Sequence, residues 1–261
     1  MTGFLASVTS MAEAEIALAG GADILDLKDP SRGALGALPT EIITACVAGI
    51  AQRRIVSATA GDLAMEPDLV RNAVRRLSAC GVDIVKIGLF PGGDILACIS
   101  ALRDETVRGT RLVAVMFADQ APEFSLIGPL REAGLIGVML DTADKSAGGL
   151  RHHLDGDDLA DFVEAAKKFG LMSGLAGSLR LEDVAPLAAL QPDYLGFRGG
   201  ICDHGRQSAL SPERLRAVRS AIDNANIHQR AAKMATAAAG AQRAAHSVSW
   251  PSPLTSAVKS T

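Results

Sequence analysis

Aromatic side chains are scarce in this chain of 261 residues, which carries one Trp, one Tyr and seven Phe although 48% of its residues are hydrophobic. A core therefore has to be assembled mainly from Ala, Val, Ile and Leu, as suits packed strands and helices. Lys and Arg (26) are slightly outnumbered by Asp and Glu (29), for a formal charge of -3. That balance supplies neither a basic footprint for nucleic acid nor a polybasic segment for a membrane surface. The four cysteines (Cys46, Cys80, Cys98 and Cys202) are scattered, with no Cys-x-x-Cys pair. Their spacing excludes a dense disulfide framework, argues against zinc, and reads as reduced thiols. No uninterrupted apolar run approaches the roughly 20 residues that span a bilayer, and the start, Met-Thr-Gly-Phe-Leu-Ala-Ser-Val, lacks the basic and long apolar segments of a signal peptide. A soluble, cytoplasmic protein is expected.

What is present is an alternation of short apolar runs with helix-period segments, repeated to about residue 222. The expected strands are Phe4 to Val8, Ile24 to Lys28, Arg54 to Thr59, Ile84 to Leu89, Leu112 to Phe117, Gly137 to Asp141, Met172 to Ala176 and Tyr194 to Arg198. Helix starts are signalled by Ser10, Glu66-Pro67, Asp155 and Ser211-Pro212-Glu213. Gly20, Gly81, Gly134 and Gly170 follow helices where left-handed caps are expected. Strict alternation implies parallel strands with right-handed crossovers, and eight units point to a single closed (β/α)8 barrel, a TIM barrel of the α/β class, over residues 1–222. A doubly wound open sheet is the rival, but no Gly-x-Gly-x-x-Gly turn follows the first strand. From residue 223 the composition turns to Ala, Ser, His, Gln and Pro, so 223–261 reads as a low-complexity, disordered tail that could be truncated after Asn224 without loss of folding.

Charges interrupt the apolar runs at telling places. In Ala-Asp-Ile-Leu-Asp-Leu-Lys-Asp-Pro (22–30), period two puts Ile24, Asp26 and Lys28 on one face and Leu25 and Leu27 on the other. Burying an unpaired Lys or Asp is costly, so the stretch is either a structural ion pair or a reactive site. Lys86 repeats the anomaly in the fourth run, and the sixth runs through Asp141 into Lys145. Lysines gathered at a barrel mouth lower one another's pKa by repulsion and desolvation, and a neutral amine is what attacks a carbonyl. Two lysines on alternate strands with two carboxylates therefore suggest Schiff-base chemistry. Asp26, on the face of Lys28, is its expected companion; Lys86, with only Ile84 and Gly88 on its own face, is expected to be the less compensated amine and hence a base.

The turns Gly177-Ser178 and Arg198-Gly199-Gly200 follow the seventh and eighth runs, where barrels commonly bind phosphate through bare amides, with Arg198 adding charge. His152, His153 and His204 fall in expected loops without metal-ligand spacing.

The runs Gly-Gly-Ala-Asp-Ile-Leu-Asp-Leu-Lys-Asp-Pro followed by Gly33-Ala-Leu-Gly-Ala37, Gly-Val-Asp-Ile-Val-Lys-Ile-Gly-Leu, Met-Leu-Asp-Thr-Ala-Asp-Lys and Gly-Leu-Ala-Gly-Ser resemble the (5-formylfuran-3-yl)methyl phosphate synthases of methanofuran-type cofactor biosynthesis, over residues 4 to about 222. The resemblance implies a (β/α)8 barrel that joins two glyceraldehyde 3-phosphates into one furan aldehyde phosphate, with loss of water and one phosphate and with no metal or organic cofactor. It further implies Lys28 as the Schiff-base lysine, Lys86 as the proton-transferring base, and Asp26, Asp141 and Lys145 as their partners. The residues alone also admit another class I aldolase or isomerase acting on a sugar phosphate, or a phosphometabolite-binding barrel without catalysis. The expected partner is a triose phosphate, with no nucleic acid and no membrane, and a homo-oligomer is left open.

Overall fold

All eight apolar runs are parallel strands, and they close in sequence order into one barrel, β8 pairing back onto β1. The computed structural model describes the backbone of residues 1–246 and the side chains of 1–235. The strands are β1 (Gly3–Val8), β2 (Ile24–Leu27), β3 (Ile55–Thr59), β4 (Ile84–Gly88), β5 (Leu112–Phe117), β6 (Gly137–Asp141), β7 (Met172–Leu175) and β8 (Tyr194–Phe197). The helices are α1 (Met11–Ala19), α2 (Thr40–Ile50), α3 (Pro67–Ala79), α4 (Ile95–Val107), α5 (Ile127–Glu132), α6 (Leu150–His153), α7 (Gly156–Lys168), α8 (Val184–Ala189) and α9 (Pro212–His246). His152 and His153 thus end a one-turn helix rather than lie in a loop, and His204 lies exposed after β8.

Period-two alternation divides the apolar residues into two layers. Outward positions such as Phe4, Leu25, Leu27, Val85, Ala114, Leu140 and Phe197 join the helices in one continuous core. Inward positions, among them Leu5, Ile24, Ile84, Val113, Met139 and Tyr194, plug the barrel. Above the plug the inward face turns polar, and that change of level sets the site.

Three aspartates staple the opposite rim. Asp23, Asp83 and Asp193 stand just before β2, β4 and β8, and each carboxylate accepts a strand amide at 2.8 Å: from Phe4 on β1, Val56 on β3 and Ser173 on β7 respectively. An amide left without a strand partner at a sheet's end needs such an acceptor.

The helix starts behave as their sequences dictate: Ser10 accepts from the Glu13 amide, Asp155 closes a capping box with Asp158, and Pro67 opens α3. Gly81, Gly134 and Gly170 adopt left-handed φ, but Gly20 does not; the left-handed residue there is Gly21, at φ 81°. Gly20 is needed for a different reason, since a Cβ on it would sit 2.8 Å from Leu215 Cβ of α9.

The barrel's last helix differs most from expectation. It does not stop at residue 222 but runs on to His246, so the boundary at 223 falls inside an element; residues 247–261 lie outside those described. Its first turns past residue 222 are held by polar anchors that hydrophobic patterning does not see, beside the contact of Ala225 with the core. Buried Asn226 accepts from the Thr2 amide at 2.8 Å and donates to the Thr2 carbonyl at 2.9 Å, closing the N-terminus onto α9, and Gln229 donates to the Ala188 carbonyl. Cutting after Asn224 would remove both anchors, so such a cut is expected to cost stability. Asn226→Ala leaves a buried amide and carbonyl unpaired and should lower stability by about 1–3 kcal/mol, read as a fall in denaturant midpoint; an unchanged midpoint would show that the anchor is idle.

Candidate active site

The site begins with register. Ser7, Asp26 and Ser57 are direct cross-strand partners on β1, β2 and β3, so their inward side chains lie at one height. Ser57 Oγ donates to Asp26 Oδ1 at 2.6 Å and Ser7 Oγ to Oδ2 at 3.2 Å. Lys86, inward on β4, completes the shell with Nζ 2.9 Å from Asp26 Oδ2. Asp26 is wholly buried and Lys86 nearly so, which isolated charges could not be, but each here satisfies the other.

A second ion cluster lies beside the first. Asp141 at the end of β6 receives Lys145 from the following turn, accepts the Thr142 amide at 2.8 Å, and stands 3.5 Å from Lys28 Nζ. Lys145 also donates to Thr142 Oγ1 at 3.2 Å and to its carbonyl, and Asp119 accepts the amides of Ala143 and Asp144, both at 2.7 Å, which fixes the turn. All five charged residues singled out in the sequence line one cavity of about 790 Å³ at the C-terminal mouth of the barrel.

The pairing corrects one expectation. Asp26 does not accompany Lys28, its neighbour on the strand face; it accepts Lys86, while Lys28 looks across to Asp141. Lys86 is therefore the well-compensated amine and Lys28 the looser one. Burial brings the Lys28 pKa down to about 8; Asp141 opposes the shift, and Lys145 and Lys86 add to it. Burial would raise Asp141, but Lys145 and Lys28 override it and hold the carboxyl well below the usual range. Because Lys28 titrates at about 8 in the fold against an ordinary 10.5, the unfolded chain holds a proton in that window that the folded chain has released. Stability should therefore rise with pH between those values, recovering about 3 kcal/mol that the buried ammonium costs at lower pH. Denaturant midpoints at pH 7.5 and 10 for the native chain and Lys28→Met check this: the variant should lose most of the rise, and equal rises would contradict it.

Gly177, Ser178, Arg198, Gly199 and Gly200 also line the cavity. Gly177 and Ser178 have left-handed φ of 112° and 51°, an unusual backbone for Ser that marks a constrained turn. A Cβ on Gly200 would meet the Leu179 carbonyl at 2.3 Å, so Gly200 is required by packing, whereas a Cβ on Gly199 would make only ordinary contact with Arg206 at 3.7 Å. Arg198 is not a free cation. Its guanidinium pairs with Glu13 of α1 and donates to the carbonyls of Ser7 (3.2 Å), Arg206 (2.8 Å) and Ser208 (3.2 Å), which occupies its five donors. Sequence reasoning missed Ser7, Ser57, Arg180, Arg206 and Arg214, all but Ser57 lining the cavity. A Ser in a strand, or an Arg in a loop or in the first turn of a helix, breaks no pattern, and only the opposition of Ser7 and Ser57 to Asp26 in the register could have found the serines. Among the described residues no group of three or more His, Cys, Asp or Glu side chains could hold a metal, and no helix is long and apolar enough to cross a membrane.

The 4-HFC-P synthase family model matches residues 4–219. The chain belongs to this family. Among its curated relatives, a Methylorubrum extorquens protein provisionally named (5-formylfuran-3-yl)methyl phosphate synthase is 43% identical over 81% of this chain and 87% of its own. The (5-formylfuran-3-yl)methyl phosphate synthases of Methanococcus maripaludis and Methanopyrus kandleri are 33% and 36% identical, over 78% and 77% of this chain and 92% and 90% of theirs. Solved structures confirm the fold alone. Phosphoribosyl anthranilate isomerase of Thermus thermophilus aligns at TM-score 0.62 and 15% identity, over 86% of this chain and 99% of that one. For 3-hexulose-6-phosphate synthase of Salmonella typhimurium the values are 0.63 and 16%, over 86% and 100%.

Proposed function

We propose that this member of the 4-HFC-P synthase family is a (5-formylfuran-3-yl)methyl phosphate synthase, a lyase that condenses two glyceraldehyde 3-phosphates for a methanofuran-type C1 carrier in the cytoplasm. The observation that carries the reading is the buried Lys28 amine, brought to a pKa of about 8 and set beside the Asp141–Lys145 and Asp26–Lys86 pairs. One glyceraldehyde 3-phosphate reacts as its keto isomer, dihydroxyacetone phosphate, formed by transfer of the C2 proton to C1; a neutral amine adds to that ketone, and loss of water gives an iminium whose charge Asp141 faces. Lys86, when unprotonated, takes the proton whose departure makes the enamine, and Asp26 receives the resulting ammonium in a ready hydrogen bond. The enamine carbon attacks the aldehyde of the second triose; dehydration, ring closure and phosphate loss follow. Lys145 holds Asp141 in place and returns protons at the mouth.

The cavity-lining turns at Gly177-Ser178 and Gly199 are suited to one substrate phosphate, with Gly200 shaping the turn and Arg198 tying it to α1. The test is incubation with glyceraldehyde 3-phosphate followed by mass spectrometry. The furan aldehyde phosphate and one equivalent of inorganic phosphate are expected, and an aldol product that never aromatises would overturn the reading.

A further inference from the structure

The condensation takes two phosphorylated substrates, and the backbone turns after β7 and β8 supply a site for one. We propose that Arg206 binds the phosphate of the second triose, the one that arrives as the aldehyde acceptor; the inference rests on the condensation proposed above.

Arg206 lies in the segment between β8 and α9, lines the cavity and is half-buried. Its own carbonyl is gripped by Arg198, which Glu13 in turn anchors, so its backbone is set before substrate arrives. The side chain crosses the mouth to the segment after β2, where one terminal nitrogen donates to the Gly33 carbonyl at 2.9 Å. That bond fixes the guanidinium and leaves most of its donors free. No carboxylate lies within salt-bridge distance of it among the described residues. The nearby acids are engaged elsewhere: Asp141 with Lys145 and Lys28, Asp62 with the amides of Ala34 and Leu35, and Asp29 with Ser31. Burial lowers the Arg206 pKa, and Asp141 opposes that shift. A tethered, half-desolvated guanidinium with free donors is the geometry that receives a phosphate.

Position assigns it to the acceptor. The imine must form before the acceptor can react, so the first triose occupies the floor beside Lys28 and Lys86, which are 6% and 2% exposed. The second enters above it, toward the rim, where Arg206 spans the mouth.

The test crosses a change in the enzyme with a change in the substrate. Dihydroxyacetone phosphate serves as imine donor and either glyceraldehyde 3-phosphate or unphosphorylated glyceraldehyde as acceptor, and the carbon–carbon bonded product is followed by mass spectrometry. In Arg206→Gln, kcat/KM for the phosphorylated acceptor should fall on the order of 10- to 100-fold, while glyceraldehyde, which has no phosphate to lose, should change less than about threefold by the same reasoning. Arg206→Lys should recover part of the loss, and borohydride trapping of the donor on Lys28 should keep its native concentration dependence. Equal losses with both acceptors, or weakened trapping, would make Arg206 a loop strut and overturn the assignment. Native enzyme that forms no furan aldehyde phosphate would instead overturn the parent reading together with this one.

Discussion

Lys28→Arg is expected to lower turnover by about 10⁴-fold or more, the order seen when a covalent nucleophile is removed, and to abolish borohydride-trapped mass on the peptide containing residue 28. The guanidinium keeps the positive charge opposite Asp141 but stays protonated and forms no imine. Stability should change little by comparison, so the loss will report chemistry and not folding. Lys86→Arg separates the two lysines: turnover should also collapse, because the proton acceptor is gone, yet part of the adduct should survive. For placing the imine on Lys28 the structure supplies a different reason from strand-face neighbours. Lys86 is locked at 2.9 Å on a carboxylate that Ser7 and Ser57 also hold. Lys28 has its nearest carboxylate at 3.5 Å, and that carboxylate is shared with Lys145. A divided counter-ion and a lowered pKa are the grounds on which Lys28 is proposed as the nucleophile. Trapping on the native chain should accordingly strengthen as pH rises toward about 8, following the Lys28 amine. Mass on the Lys86 peptide in place of the Lys28 peptide would reverse the roles.

The barrel was legible because its signal is periodic. Eight short apolar runs separated by helix-period segments specify a parallel closed sheet, and Lys28, Asp26, Lys86 and Asp141 stood out because each puts a charge inside or at the end of an apolar run. What stayed hidden lacks a period. The allocation of carboxylates to lysines depends on the stagger between strands, which brings Lys86 of β4 to Asp26 of β2 across the intervening Ser57. Arg198 and Arg206 occupy similar loop contexts in sequence, and only the fold decides that Glu13 and three carbonyls consume the first while the second has no carboxylate partner and is tethered to the Gly33 carbonyl alone. The first turns of α9 past residue 222 are tied down by Asn226 and Gln229, two polar residues whose partners, Thr2 and Ala188, lie far away in sequence. Compositional reasoning measures how much apolar surface a segment can bury, and it has no access to a long-range hydrogen bond.

Asp26→Ala is expected to produce the largest loss of stability of any single change at the site, about 3–5 kcal/mol, because it strands the buried Lys86 ammonium without a counter-ion. The carboxylate receives three donors, Lys86 at 2.9 Å, Ser57 at 2.6 Å and Ser7 at 3.2 Å, and all three lose their acceptor together. Three further variants locate the cause. Ser57→Ala removes one donor and keeps the ion pair, so it should cost only about 1 kcal/mol. Asp26→Asn keeps the shape and an acceptor but not the charge, and should fall between these two. The double variant Asp26→Leu with Lys86→Met replaces the pair by apolar groups of similar bulk and should recover most of the stability, since a buried ion pair contributes little beyond what well-packed hydrophobic residues would. It should nonetheless be inactive. Denaturant midpoints measured on the set give the ordering directly. If the double variant proves as unstable as Asp26→Ala, the pair itself holds the barrel mouth together; if it recovers, stability at this level needs only that no charge be left alone, and the retention of two charges fits the proton transfer proposed for Lys86.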